Sequence, residues 1–196
     1  MPVSFNHSIA KAAKNTLEAC GHDVAFHDLY QERFDPILPY EEIAKGADVN
    51  MVVKKHFSEI ALADGIIIVH PNWWGMPPAI LKGWVDRVIR PGVAYEFLEN
   101  DSGEGVPRGL LNARKAIVFN TSNTYREREH QAFGDPLETL WRNCIFGLCG
   151  VKDFYRTTYS VVVTSTPAQR RTWLEDVRVT VAEYFPKDEA VGDNRS

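Results

Sequence analysis

Gly65-Ile-Ile-Ile-Val-His70 is an unbroken, mostly β-branched run that stops at Pro71. An apolar run this short, without alternation, is the signature of a strand buried on both faces in a parallel sheet. A loop over residues 72–76 follows. Pro77-Pro78 then opens a helix whose Ile80, Leu81, Trp84, Val85 and Val88 share one face, since proline in the first turn fixes φ without losing a hydrogen bond. That helix stops before Pro91-Gly92. A Gly-rich polar loop over residues 100–112 leads to a second buried run, Ala116-Ile-Val-Phe119.

Outward from this centre the same alternation continues. Ile9, Ala13, Leu17 and Cys20 recur at helical spacing over residues 6–20, and Gly21 supplies the left-handed stop. Residues 23–27 read as a strand. An irregular stretch over 34–39 precedes a helical region over 40–62 with Val53, Phe57, Ile60 and Ala61 inward. On the other side, a polar loop over 120–135 precedes a helix with Leu137, Leu140, Trp141, Cys144, Ile145 and Leu148 on one stripe, closed by Gly150. A strand-like region spans 154–163. Thr166 as N-cap and Pro167 start a closing helix carrying Trp173, Val177 and Val181 to Phe185.

Helix and strand in alternation imply an α/β fold with a parallel sheet covered on both faces, a three-layer sandwich. Four strands are legible, whereas the flavodoxin-like version has five, with the first at the centre of the order 2-1-3-4-5. The 196 residues, 44% hydrophobic and 24% charged, amount to one globular domain over residues 1–186 with a polar tail over 187–196. The net charge of −4, with no basic block, excludes a protein whose main task is binding nucleic acid. No apolar run approaches the roughly 20 residues needed to span a bilayer. Residues 1–8 lack the apolar core of a signal peptide, and Cys20, Cys144 and Cys149 form neither a Cys-x-x-Cys pair nor a disulfide framework. Both features point to a cytoplasmic protein with its cysteines buried as small hydrophobes.

In open α/β sheets ligands bind at the carboxyl ends of the strands. Ser4 and Asn6 begin the first helix, where free N–H groups suit a phosphate, although Ser4 also reads as an ordinary N-cap. The loop Pro71-Asn-Trp-Trp-Gly75 carries two adjacent tryptophans, which either stack on a flat conjugated ligand or pack beneath their own loop. Asn120-Thr-Ser-Asn-Thr124 supplies hydrogen-bonding groups just past a buried strand. His70, at the end of its strand, reads as structural. His7 either touches a phosphate or faces water. No metal-ligand spacing, Walker loop or Ser-His-Asp order is visible.

The stretch Pro71-Asn-Trp-Trp-Gly-Met-Pro-Pro-Ala-Ile-Leu-Lys-Gly-Trp-Val-Asp-Arg-Val88 closely resembles the NAD(P)H:quinone oxidoreductase family of flavodoxin-like flavoproteins. Ser4-Phe-Asn6, Asp28-Leu-Tyr30, Phe133-Gly-Asp-Pro136 and Gly147-Leu-Cys-Gly150 extend the resemblance over most of residues 2–165. It implies that Ser4, Phe5 and Asn6 hold the flavin phosphate, that Pro71, Asn72, Trp73, Trp74 and Gly75 line the isoalloxazine, and that Thr121, Ser122, Asn123 and Thr124 contact its polar edge. The resemblance further implies FAD or FMN as cofactor, NADH or NADPH as electron donor, and two-electron ping-pong hydride transfer to a quinone or related aromatic acceptor. The protein supplies placement and electrostatics for that chemistry. Where the family has a catalytic His this chain has Phe133, so Tyr125 and His130 are the candidate catalytic residues, His130 also reading as a solvated surface histidine.

The family further implies a homodimer, with the helix over residues 79–90 and Trp84 at the interface. A regulatory subunit of a potassium-efflux transporter is the alternative, and a one-electron carrier is disfavoured by the modest net charge. Relatives have a hydrophobic strand before Ser-Phe-Asn, whereas Met1-Pro2 already lies inside the turn. The expectation is therefore a sheet lacking its first, central strand, in a truncated or mis-started sequence, with an inactive truncated homologue as a further alternative to the enzyme.

Overall fold

The computed structural model describes residues 4–44, 46–98, 105 and 107–187; most of the expected tail and part of the loop over 100–112 lie outside them. In chain order the elements are α1 (Phe5–Ala19), a 3₁₀ turn (Tyr40–Glu42), α2 (Met51–Leu62), β1 (Gly65–Pro71) and α3 (Ala79–Val88). There follow β2 (Tyr95–Glu96), β3 (Arg108–Gly109), β4 (Lys115–Ser122) and α4 (Arg126–Phe133). The chain closes with α5 (Pro136–Glu138), which continues as a π-helix (Thr139–Gly147), then β5 (Asp153–Ser160), a 3₁₀ turn (Val162–Thr164) and α6 (Pro167–Tyr184). The residues divide into two compact units, one made of residues 1–26 and 165–196, the other of residues 27–164.

The first unit pairs α1 with α6. Ser4 caps α1 by accepting from the His7 N–H at 3.2 Å, and Thr166 caps α6 in a reciprocal capping box with Gln169. Phe5 lies 5.7 Å from the Trp173 ring, and Ile9, Ala12, Ala13, Val177 and Val181 are buried.

The second unit holds a parallel sheet in the order β1-β4-β5, in register from Gly65↔Lys115 to Pro71↔Thr121 and from Lys115↔Asp153 to Ser122↔Ser160. β4 has a strand on both sides and is buried from Ala116 to Ser122. β1 pairs on one side only among the described residues, and Ile67, Ile68 and Val69 are correspondingly half-buried. α3 packs close because Gly83 has no Cβ; one there would meet the Pro36 carbonyl oxygen at 2.1 Å. Arg87 is buried on the same helix, donating from Nη2 to Glu42 Oε1 at 2.7 Å and from Nη1 to the Asp35 carbonyl at 2.8 Å.

Several expectations change. Residues 23–27 form no strand: a strand needs a laddered neighbour, and among the described residues the sheet ends at β1. The region over 40–62 is not one helix, since Asn50 caps α2 afresh by accepting from Val53 N–H. The polar stretch over 120–135 is not simply a loop: β4 continues to Ser122 and α4 follows. β5 stops at Ser160 rather than 163. Cys149 is buried, and burial raises its thiol pKa to about 11, but Cys144 is exposed and Cys20 half-buried. Trp84, expected at an interface between copies, lies in the core, where its indole N–H donates to His56 Nδ1.

Candidate functional site

The register places the carboxyl ends of β1, β4 and β5 side by side, with His70 opposite Asn120 and Asn120 opposite Thr158. His70 is 2% exposed and satisfied at both nitrogens. Its Nδ1–H donates to the Pro71 carbonyl at 2.8 Å, while Nε2 accepts from Trp141 Nε1–H at 2.9 Å and faces the Asn120 amide at 2.9 Å. Two donors on Nε2 fix the neutral tautomer, and burial pushes its pKa down to about 4. The structural reading of His70 holds, with a specific duty: it pins the first carbonyl of the tryptophan loop.

That loop is tightly built. Asn72 N–H donates to the Thr121 carbonyl at 2.7 Å, Asn72 Oδ1 accepts from Gly75 N–H at 2.8 Å, and Trp73 and Met76 exchange two backbone bonds of 3.0 Å. Trp74 and Gly75 at the tip have φ of 60° and 73°. A left-handed backbone is uncommon for a residue this bulky. Its side chain is nevertheless 99% exposed, with Trp73 60% exposed, so neither tryptophan packs beneath the loop. A Cβ on Gly75 would come within 2.6 Å of Pro136 Cγ, which ties the loop to the start of α5.

Thr121 and Ser122 are buried strand residues, not loop residues. Ser122 Oγ accepts from Thr124 N–H at 3.0 Å, and Asn123 Oδ1 accepts from Val163 N–H at 3.0 Å, so the Asn123 side-chain amide is the part left for a ligand. A narrow polar cleft opens among Asn72, Ser122, Thr124, Glu129 and Thr158. Its far wall is Arg156, paired with Asp135 at 2.5 Å. Ser160 Oγ, also lining the cleft, is buried without a hydrogen-bond partner among the described residues, as is Asn120 Oδ1. Orphaned buried polar atoms of this kind fit a site that takes a polar-edged ligand. α4, which buries no residue, is tied to the loop by Asn72 Nδ2 donating to Glu129 Oε1 at 2.9 Å. Tyr125 precedes α4 and His130 lies on it, both exposed.

In the helical unit, the start of α1 opens onto a cleft of about 310 Å³ lined by Phe5, Ser8, Pro167, Arg170, Arg171 and Leu174. Arg170 is held in place by donating to Ser165 Oγ at 2.8 Å. Two guanidiniums beside a helix N-terminus make an anion-binding arrangement. Arg170 and Arg171 went unnoticed in the sequence because charge on a long helix reads as a solvated face.

The family model of the flavodoxin-like fold matches residues 1–181. An NAD(P)H oxidoreductase of Haemophilus influenzae is 34% identical over 154 residues, 76% of this chain and 73% of that protein. The chain belongs to the NAD(P)H:quinone oxidoreductase family. The mouse ribosyldihydronicotinamide dehydrogenase [quinone] is 33% identical over 172 residues, 77% of this chain and 73% of that one. Among solved structures, the NAD(P)H:quinone oxidoreductase of Methanothermobacter marburgensis superposes with a TM-score of 0.78 at 25% identity, covering 92% of this chain and 90% of its own.

Proposed function

We propose that this member of the family is a flavin-dependent NAD(P)H oxidoreductase that reduces quinones or related aromatic acceptors. The observation that carries the reading is Trp74, fully exposed yet held in a left-handed backbone. Unfavourable backbone geometry persists only where the surroundings over-determine it, and such residues cluster at ligand sites. Here the Asn72 turn, the paired Trp73–Met76 bonds and the Gly75–Pro136 contact do so. Trp73 and Trp74 offer ring faces to a flat conjugated ring system. Thr121, Ser122, the Asn123 side-chain amide and Thr124 would hold its polar edges.

When bound, the flavin supplies hydride acceptance from NAD(P)H and two-electron donation to the acceptor. What the chain supplies is placement and charge stabilisation: donors aimed at the ring's polar edge favour the negative charge that reduction builds there. The cleft lined by Phe5, Arg170 and Arg171 suits a phosphate, and it lies at the helix start where Ser4 and Asn6 stand. His70, neutral and buried, does not exchange protons in this scheme and acts only by holding the loop. Tyr125, beside the cleft's Thr124, is the candidate for contact with the acceptor, and His130 is its companion on α4. The test is reconstitution of the purified chain with FMN or FAD, followed by NADH- or NADPH-dependent reduction of a simple quinone. Flavin binding without turnover would remove the enzyme reading and leave a flavin-binding regulatory role.

A further inference from the structure

Away from that site, His27, Glu32 and His56 bring one nitrogen, one carboxylate and one nitrogen together, all ligand atoms lying within 4.8 Å of one another. Both imidazoles turn toward the same carboxylate. His27 Nδ1 lies 2.8 Å from Glu32 Oε1, and His56 Nε2 lies 3.1 Å from Glu32 Oε2. The two ring centroids lie 4.0 Å apart, with the ring planes tilted by 37°. On its outer side His27 Nε2 lies 2.9 Å from Glu59 Oε2. A histidine whose second nitrogen donates to a carboxylate is the arrangement that orients metal-bound imidazoles. His56 is buried, whereas His27 and the two carboxylates keep partial access to water, which leaves a route for an ion and for a solvent ligand.

We propose that His27 Nδ1, Glu32 and His56 Nε2 bind a divalent ion of the zinc class, with water in the fourth position and Glu59 orienting His27. The donor set, two imidazoles and a carboxylate, suits zinc rather than calcium or magnesium, which demand oxygen shells. Zinc bonds of about 2.0–2.2 Å in a tetrahedron put ligand atoms roughly 3.3 Å apart. The 2.8 and 3.1 Å contacts lie near that spacing, and because they reach different Glu32 oxygens, ion binding requires the carboxylate to turn as well as the contacts to lengthen. The ion would join the segment after residue 26 to α2, neither of which contributes to the cleft at the strand ends.

One hydrogen bond opposes the ion. Trp84 Nε1–H donates to His56 Nδ1 at 3.1 Å, and an indole N–H only donates, so the proton of neutral His56 sits on Nε2. Zinc on Nε2 moves that proton to Nδ1, where it faces the Trp84 N–H. Trp84 thus restrains binding, which yields a prediction that a chance surface ion does not share: removing the indole N–H tightens the site.

The experiment is calorimetric titration of the tag-free, chelator-treated full chain with ZnCl2. The expected result is one equivalent bound in the wild type, no stoichiometric binding in His27→Gln or Glu32→Gln, and about 10- to 100-fold weaker binding in Glu59→Gln. Trp84→Phe should bind more tightly than wild type. To keep the test independent of any variant's folding, Co²⁺ is titrated into the unmodified chain as well, where tetrahedral nitrogen and oxygen ligation gives visible absorption. No binding by the wild type at micromolar zinc, or no such cobalt spectrum, overturns the proposal. So does undiminished binding in folded His27→Gln and Glu32→Gln, or weaker binding in folded Trp84→Phe.

Discussion

Replacing His70 by Gln changes how stability depends on pH, and the size of the change follows from the structure. Burial lowers the His70 pKa from 6.5 to about 4, so the folded chain keeps this side chain neutral while the unfolded chain protonates it below pH 6.5. The unfolded state then binds the extra proton, and stability falls as pH falls. The group's full contribution is present above pH 6.5 and is lost as pH drops toward 4. The rate is about 1.4 kcal/mol per pH unit, for a total of roughly 3 kcal/mol. The variant has no such group and lacks this slope. At neutral pH it is less stable by about 1–3 kcal/mol, because the glutamine amide cannot both accept from Trp141 and Asn120 and donate to the Pro71 carbonyl in the imidazole's geometry. Urea unfolding followed by tryptophan fluorescence, at several pH values between 7 and 4.5, measures both effects. The gap between wild type and variant should narrow steadily below pH 6.5. The lowered His56 pKa is common to both chains and cancels in the difference. A gap that stays constant with pH would refute the claim that His70 is held neutral.

Trp74→Gly removes a left-handed backbone cost of about 1–2 kcal/mol and adds a glycine entropy penalty of up to about 1 kcal/mol, so urea unfolding should show unchanged or slightly higher stability. Flavin affinity, measured by fluorescence quenching, should fall in the same variant. Gly83→Ala drives a methyl into the Pro36 carbonyl and should cost about 3 kcal/mol or more in a denaturant titration. Glu42→Gln leaves the buried Arg87 guanidinium with only the exposed Asp35 carboxylate, 3.7 Å away, as a charge partner, and about 3 kcal/mol of stability should be lost. The double variant Glu42→Leu with Arg87→Met should recover most of that loss in the same assay.

The strands were legible where their residues are apolar. Gly65-Ile-Ile-Ile-Val and Ala116-Ile-Val-Phe119 reveal β1 and β4 because an unbroken β-branched run has few other homes. β4 ran three residues past the apolar signal, since Asn120, Thr121 and Ser122 are buried polar residues and no hydropathy pattern marks them. α4 was invisible for the opposite reason: Arg-Glu-Arg-Glu-His-Gln-Ala-Phe buries nothing, so it carries no helical period. Residues 23–27 show the limit of local reading, because strand formation depends on a neighbour elsewhere in the chain. At the candidate site, the tryptophan loop stood out through its odd composition. The network of His70, Asn120 and Trp141 behind it did not, because its members come from three separate elements. The same dispersal hid His27, Glu32 and His56, whose spacing matches no metal-binding motif.

The central claim is that the loop holding Trp73 and Trp74 is a flavin platform. The direct measurement is the visible absorbance of the purified chain, as isolated and after incubation with FMN and with FAD, with the released chromophore identified by mass. The predicted result is a flavin spectrum at one flavin per chain that is strongly reduced in a Trp73→Ala, Trp74→Ala double variant. A colourless protein that takes up neither FMN nor FAD, or a double variant that binds flavin as well as wild type, would contradict it.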